Sequence, residues 1–382
     1  MGNPTDDTDV LITDAKAMLE DVPSDLQPTK KREPFWKKML RFFSKTLLVL
    51  LETVLLLAVT LYGVMYVLAK GPSPTARDLF VMSVRETSAI GFLAELYFTE
   101  EEIAQIEAPK EVEEYVETDT SLIALPTAPQ NDEEKPQGPV ADQWGLVDED
   151  GDGIILESVN GEGFSGYMMV VLDPSRVIMG CNPDSFGARG YTVEQMVGNF
   201  DAVAGVNAGG FQDENGEGNG SIPDSMVVYE GEIYFSGYGT RDGFVGLDSQ
   251  NILHVGKLGV EEVKNRDIQY GVSFGPVLIS NGEPHDIPSG VNPRTAIGQR
   301  SDGAILLLVI DGRQVISLGA TYNDMVEIFL SYGAVNACNL DGGSSSLMWY
   351  EDQYVNNCAS VIGIRPVPTT FLVLKEGVKT NG

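Results

Sequence analysis

The chain has 382 residues, 43% of them apolar, which is enough for one large or two modest packed domains. Its net charge of −31 excludes general polyanion binding, because nucleic-acid phosphates repel such a chain wherever basic residues do not cluster. Three cysteines, Cys181, Cys338 and Cys358, exclude a disulfide-built scaffold.

Residues 1–29 are polar and acidic, the composition of a disordered tail. A basic stretch follows, with Lys30, Lys31, Arg32, Lys37, Lys38, Arg41 and Lys45, and closes a tail over 1–45. The apolar run Leu47–Leu68 has 22 residues, interrupted only by Glu52. As a helix it is about 33 Å long, matching a bilayer core of roughly 30 Å. Apolar residues on every face argue against a half-wet core helix, and its length and position argue against a signal peptide. A single transmembrane helix is expected over 46–69. Positive charge is dense before it and sparse after it, which places the N-terminus in the cytoplasm and the large C-terminal part outside, as a single-pass protein of the cell membrane.

Residues 70–106 have mixed helical periodicity and read as a juxtamembrane helical stalk. Residues 107–152 are rich in Glu, Asp, Pro and Gln and read as a solvated linker. At its end Asp148, Asp150, Asp152 and Gly153 begin like a calcium loop. The twelfth position, which should be a bidentate Glu, is Val159, and Glu157 comes two places early. An acidic turn is therefore expected, with calcium at a non-standard loop as the lesser alternative and no other metal or cofactor.

Over 153–376 short β-like runs alternate with Gly-rich turns and a few helices, before a tail at 377–382. Gly166–Asp173 and Ser225–Gly237 read as strands, and Ile305–Gly319 is almost wholly apolar up to Asp311, as in a buried central strand. Thr192 with Gln195 forms a capping box, and a second helix opens at Thr321 and stops at Gly333. The strands and helices lack a clean βαβ rhythm. The fold class expected is α+β, a mixed and largely antiparallel sheet with flanking helices, preceded by the membrane helix.

The two helices lead into similar sequences. "TVEQMVGNFDAVAGVNAGG" and "TYNDMVEIFLSYGAVNACNLDGG" share Thr, Met-Val and Ala-Val, with Asn207 opposite Asn339, Gly209 opposite Asp341 and Gly210 opposite Gly342. A duplication would bring two polar turns together at adjoining strand ends, a usual place for a site.

The chemistry available is limited. There are two histidines, no HExxH or paired CxxC, no GxSxG and no phosphate-binding Walker loop. His254 reads as a strand residue and His285 as a loop residue. Acid–base work falls on carboxylates, and paired carboxylates can run glycoside hydrolysis. Four strand-end stretches offer suitable groups: "GVNAGGF", "NPRTAIGQR", "VIDGR" and "NLDGGSSS". Each also has a plain reading. Asp311-Gly312 suits a hairpin turn, Arg294 a surface ion pair, and the serines a cap.

Those stretches, together with "SFGPVLISNG" and in this order, resemble the phosphodiester glycosidase family over about residues 153–376. The layout with its membrane helix looks like that of a Gram-positive-type bacterial surface protein. The resemblance implies cleavage of a sugar-1-phosphodiester at the glycosidic C–O bond, with cell-wall or capsular phosphoglycans as substrates outside the cell. It implies Asp311 and Asp341 as nucleophile or base. Asn207, Gly209, Gly210 and Phe211 would contact substrate. Arg294, supported by Arg313, would hold phosphate, and Thr295, Asn339, Gly342, Gly343 and Ser344 would bind hydroxyls or phosphate oxygens. Cys338 is expected to be a small core residue, although a pairing with Cys358 is open to it. Two rival readings stand beside hydrolysis: a glycosyl or glycosyl-phosphate transferase using the same site, and a non-catalytic glycan-binding surface module.

Overall fold

The computed structural model describes residues 33–87, 90–108, 117–125, 141–212, 218–235, 243–360 and 363–377. The expected disordered tail lies outside these residues. The chain divides into two units, Met1–Met65 and Tyr66–Gly382. The apolar run lies in a 36-residue helix, Phe35–Lys70, whose most apolar window has a mean hydropathy of 2.4 and no buried residue. By length and composition it is able to cross a bilayer.

The second unit holds three antiparallel sheets. A seven-stranded sheet has the order Ile154–Gly161, Phe164–Val171, Ile305–Ile310, Arg294–Arg300, Ala334–Leu340, Val277–Ser280, Glu283–Pro284. A five-stranded sheet has Ala202–Asn207 at its centre, between Met348–Tyr350 and Thr369–Leu374. The other five-stranded sheet is built from residues 227–272. All registered strand pairs among the described residues are antiparallel, where a mixed, largely antiparallel sheet was expected.

The alternation of side chains along each strand decides the packing. Ile305, Leu307 and Val309 enter one core, which also takes Val177, Met179, Ala204, Val206, Val245, Leu253 and Phe371, so all three sheets pack on a common centre. Leu306, Leu308 and Ile310 enter a second core on the opposite face, under Met325, Val326 and Phe329 of the helix Tyr322–Ser331. The helix Val193–Asn199 covers the outer face of the five-stranded sheet in the same way. A strand buried on both faces reads as a continuous apolar run, which is why "ILLLVI" shows no period of two. The first helix begins with the capping box expected, Thr192 with Gln195, and the second, opening at Thr321 as expected, has one as well, with Asp324.

Two stretches of predicted stalk and linker pack onto this unit. Helices Pro74–Arg85, Phe92–Glu95 and Glu100–Glu107 fold back on it, with Ser83 Oγ accepting from the Val291 N–H at 2.9 Å. Further along, Asn281 Oδ1 accepts from the Asp119 N–H at 2.8 Å, and Ile123 is buried with Ile252 and Val335. The reason is buried polar groups in the domain that these stretches satisfy. Arg300 is fully buried, with Nη1 donating to Asp142 at 2.6 Å, Nε and Nη2 donating to Asp302, and the guanidinium stacked 3.9 Å from the Trp144 ring. Burial works against the Asp142 charge, but the Leu146 and Trp144 N–H groups and Arg300 together hold its carboxyl below the ordinary range.

All three cysteines are free; Cys338 is buried in the central core, as a small core residue.

Arg300→Met removes one side of a buried ion pair and leaves Asp142 and Asp302 uncompensated, so stability should fall by about 3 kcal/mol, read from the urea midpoint of the full chain in detergent. The Asp142 pKa is lowered on folding, so its contribution is full above the unfolded carboxylate value and is lost as pH falls through the folded one. The acid limb of the stability curve should therefore be steeper in the wild type than in Arg300→Met.

Candidate active site

Strand register sets the geometry. Arg294 pairs with Ile310, and Thr295 pairs with Leu340. The start of the central strand thus lies between the ends of its two neighbours, and Arg294, Asp311 and Asp341 emerge along one edge of the seven-stranded sheet.

Asn207 brings the other sheet to this edge. Its Nδ2 donates to the Asp341 carbonyl at 2.5 Å, and its Oδ1 accepts from the Thr295 hydroxyl at 2.9 Å and the Leu347 N–H at 3.1 Å. The Asp341 N–H donates to the Ala208 carbonyl at 2.9 Å. The two similar turns found in sequence therefore do meet at adjoining strand ends. Asn207 is fully buried, so it joins the two turns and offers no open face to a ligand.

The remaining residues sort by exposure. Gly209 and Gly210 are buried, and the Gly209 N–H donates to the Thr369 hydroxyl at 3.0 Å. Thr295 is buried, its hydroxyl committed to Asn207. Asn339 is buried, with Nδ2 donating to the Gly275 carbonyl at 2.8 Å. The Asp311 carboxylate is buried and accepts from Asn356 Nδ2, the Asn357 N–H and Asn357 Nδ2 at 2.8–3.2 Å. Asp341, Gly342, Gly343 and Ser344 are half-buried and line the accessible part of the edge with Phe211 and Arg313.

The two arginines differ. Arg294 is 4% exposed; Nε donates to the Ala320 carbonyl, and Nη2 to the Gly290 carbonyl and to Glu86 at 2.8 Å, over the Tyr322 ring. Arg313 has only neutral partners: Ser344 Oγ at 3.3 Å, Thr87 Oγ1 at 3.0 Å and Asn292 Oδ1 at 3.4 Å. No carboxylate pairs with it among the described residues. Burial of the guanidinium, then the like charges of Arg294 and Arg365, push its pKa down. Gly343, at φ +62°, presents its bare α-carbon to this guanidinium, and an added Cβ would lie 3.3 Å from Nη2.

Four site neighbours escaped the sequence reading. Glu86 and Thr87 come from the predicted stalk, Asn292 precedes the Arg294 strand, and Arg365 lies 5.5 Å over the Phe211 ring. Asn292 is the first residue of the quoted "NPRTAIGQR" and was within reach of inspection. The others carry no local signal.

Elsewhere, His254 is buried against Asp248 at 2.9 Å, and His285 meets Ser280 Oγ at 2.8 Å. A cavity of about 540 Å³, lined by Arg77, Met82, Phe98 and Glu102, adjoins the returning helices and not the strand ends. Asp148, Asp150 and Asp152 offer oxygens within 4.8 Å of one another. Their acceptors are already taken up in part by the turn's own N–H groups at Gly151, Gly153 and Ile154. The twelfth position, where a standard calcium loop has a bidentate Glu, is the buried Val159, so the set departs from that loop.

The family profile that matches this chain, at residues 200–374, is described as phosphodiester glycosidase. Residues 200–374 are thus similar to the phosphodiester glycosidase family. The match takes in the central strands of two sheets and every residue of the accessible edge except Glu86 and Thr87. The domain is 32% identical over 180 residues to the SPbeta prophage-derived uncharacterized protein YomE of Bacillus subtilis, covering 45% of this chain and 28% of that protein. It is 26% identical over 207 residues to human N-acetylglucosamine-1-phosphodiester alpha-N-acetylglucosaminidase, covering 48% of this chain and 39% of the human one. The chain thus spans well under half the length of these relatives. Among solved structures, the zebrafish N-acetylglucosamine-1-phosphodiester alpha-N-acetylglucosaminidase catalytic domain, auto-inhibited by its pro-peptide, aligns with a TM-score of 0.49 at 18% identity, over 58% of this chain and 82% of that one.

Asn207→Ala leaves the Thr295 hydroxyl and Leu347 N–H without their acceptor, and should cost about 3 kcal/mol of stability by urea midpoint. Hydrogen exchange should accelerate at 341–347 and stay slow over 305–310, because the domain loses the link between its sheets and keeps the sheets themselves.

Proposed function

We propose that the domain hydrolyses the glycosidic C–O bond of a sugar-1-phosphodiester, with N-acetylglucosamine, the sugar in the names of its relatives, as the first sugar to test. The observation that carries this reading is Arg313, a solvent-accessible residue whose guanidinium has neutral partners only among the described residues, next to two further arginines and facing a glycine. That arrangement suits a phosphodiester anion, which would supply the missing negative charge through charge-assisted hydrogen bonds.

The residue roles follow from accessibility. Arg313 holds the diester, with Arg365 on its other side and Ser344 contributing a hydroxyl. Arg294, committed to Glu86 and two carbonyls, positions the strand start and is not assigned to phosphate. Asp311, held by three N–H donors, positions the 356–357 turn. Asp341 is then the reacting carboxylate: it takes the proton of the water that attacks C1, while the C1–O bond breaks and the phosphomonoester leaves with the bonding electrons. A phosphate leaves far more readily than an alcohol, so a histidine-poor edge is no handicap. We read the helix Phe35–Lys70 as a membrane anchor; the basic residues before and within its first turns favour a cytoplasmic N-terminus and a domain outside, where wall or capsular phosphoglycans are the substrate class.

The test is release of free N-acetylglucosamine from UDP-N-acetylglucosamine by the full chain in detergent. Asp341→Asn should abolish release, and Asp311→Asn should chiefly lower stability. Arg313→Ala should raise KM by one to two orders of magnitude, since a hydrogen bond to a charged group contributes about 1.5–3 kcal/mol. Sugar transferred to a polymer with none released would indicate the transferase. Full activity in both Asp341→Asn and Arg313→Ala would refute the site.

A further inference from the structure

The loop that follows Asp311 has an unusual tip. Gln314 and Ser317 exchange N–H···O=C bonds at 2.9 and 3.2 Å, closing a tight turn with Val315 and Ile316 at its two central positions. Turn centres ordinarily hold Gly, Pro, Asn, Asp or Ser. Here two β-branched apolar residues stand out, Val315 100% and Ile316 81% exposed, with Leu318 61% exposed beside them. The turn is held firmly at its base: Ser317 Oγ donates to the Asp311 carbonyl at 2.7 Å, and the Leu318 N–H donates to the Gly163 carbonyl at 2.8 Å. The tip is therefore presented by fixed structure.

A second chain segment, hydrogen-bonded to the start of this loop, shows the same feature. Thr87 accepts from Arg313 at 3.0 Å, and just beyond it Ile90 and Phe92 are 39% and 57% exposed. Both segments thus leave apolar side chains in water within five residues of one shared hydrogen bond.

The position of this patch along the chain points to its partner. The apolar helix ends at Lys70, which packs over the Phe98 ring at 4.2 Å, within the same unit as the patch. From Lys70 to Thr87 the path is one 12-residue helix and five other residues. At helical and extended rises this reaches at most about 35 Å. A patch tethered that close to the end of a membrane helix lies within reach of the lipid headgroups.

We infer that Val315 and Ile316, together with Phe92, insert into the surface of the bilayer that anchors the chain, and hold the Arg313–Asp341 edge against substrate phosphates at the membrane face. This rests on the reading of Phe35–Lys70 as a membrane anchor. A few apolar side chains at a rigid tip suit shallow insertion at the headgroup boundary better than a broad protein interface, which buries a wide contiguous face.

The experiment uses the full chain in nanodiscs of phosphatidylcholine and phosphatidylglycerol. A fluorescent nitrobenzoxadiazole probe is attached to Ile316→Cys, in a Cys358→Ser background because Cys181 and Cys338 are buried. Ala58→Cys reports the anchor helix, and Glu261→Cys reports a solvent-facing position. Lipids carrying a doxyl quencher on the fifth acyl carbon should remove on the order of half the emission at 316, and none at 261, for insertion at the depth of interfacial apolar groups. Quenching at 58 without quenching at 316 overturns the proposal and leaves the anchor intact. No quenching at 58 overturns both. A blue-shifted but unquenched probe at 316 would report a protein neighbour, a second copy of the chain included, and would also overturn the proposal. Val315 and Ile316 are exposed, so the probe at 316 replaces no packed residue, and Cys358→Ser is a near-isosteric change at a partly buried position.

Discussion

The Asn207 side chain is the contact on which the candidate site depends. One amide group engages Asp341, Thr295 and Leu347, and so brings together the end of a strand in one sheet and two elements of the neighbouring assembly. A shorter side chain could not span these partners, and a carboxylate would place negative charge against the Asp341 carbonyl. Because Asn207 is fully buried, each of its hydrogen bonds is made without competition from water, and each would be costly to lose. The position of Asp341 is thereby fixed from the main chain on both sides, by Asn207 at its carbonyl and by Ala208 at its N–H.

Charge is distributed unevenly around that edge. The chain carries −31 overall, yet Arg294, Arg313 and Arg365 lie close enough for their charges to be felt at Arg313. Glu86 neutralises the first of these, and no carboxylate among the described residues pairs with Arg313. At physiological ionic strength fields beyond about 8 Å are screened, so the acidic bulk does little to repel a small anion that has arrived at the edge. A long polyanion would still meet that bulk along its length. The arrangement favours one phosphodiester group over a continuous phosphate backbone.

Much of this was legible in the sequence. The membrane-length helix, the two capped helices and the "ILLLVI" strand follow from local pattern, and these are the features that period and capping rules address. The similarity of "GVNAGG" to "CNLDGG" pointed to two turns that do meet. What the sequence left open was the exposure of each polar group. Asp311 and Asp341 look alike as Asp-Gly at a strand end, but Asn356 and Asn357, some forty-five residues downstream, enclose only the first. Arg294 and Arg313 look alike until Glu86, more than two hundred residues upstream, pairs with one of them. Long-range partners of this kind leave no local trace. The stalk and linker were legible as polar but not as packed, because the groups they satisfy, such as Arg300, lie in another part of the chain.

The Glu86–Arg294 pair also bears on where the molecule is divisible. Sequence composition invites a cut in the acidic stretch near residue 140, which would separate the sheets from everything attached to the membrane helix. Such a cut would leave a guanidinium only 4% exposed without its carboxylate, and would strip the N–H groups of Gly290 and Val291 of the Glu86 and Ser83 acceptors. The smallest self-consistent folding unit therefore begins at the end of the membrane helix. Evolutionary or laboratory recombination of this domain onto another anchor would have to carry the juxtamembrane helices with it.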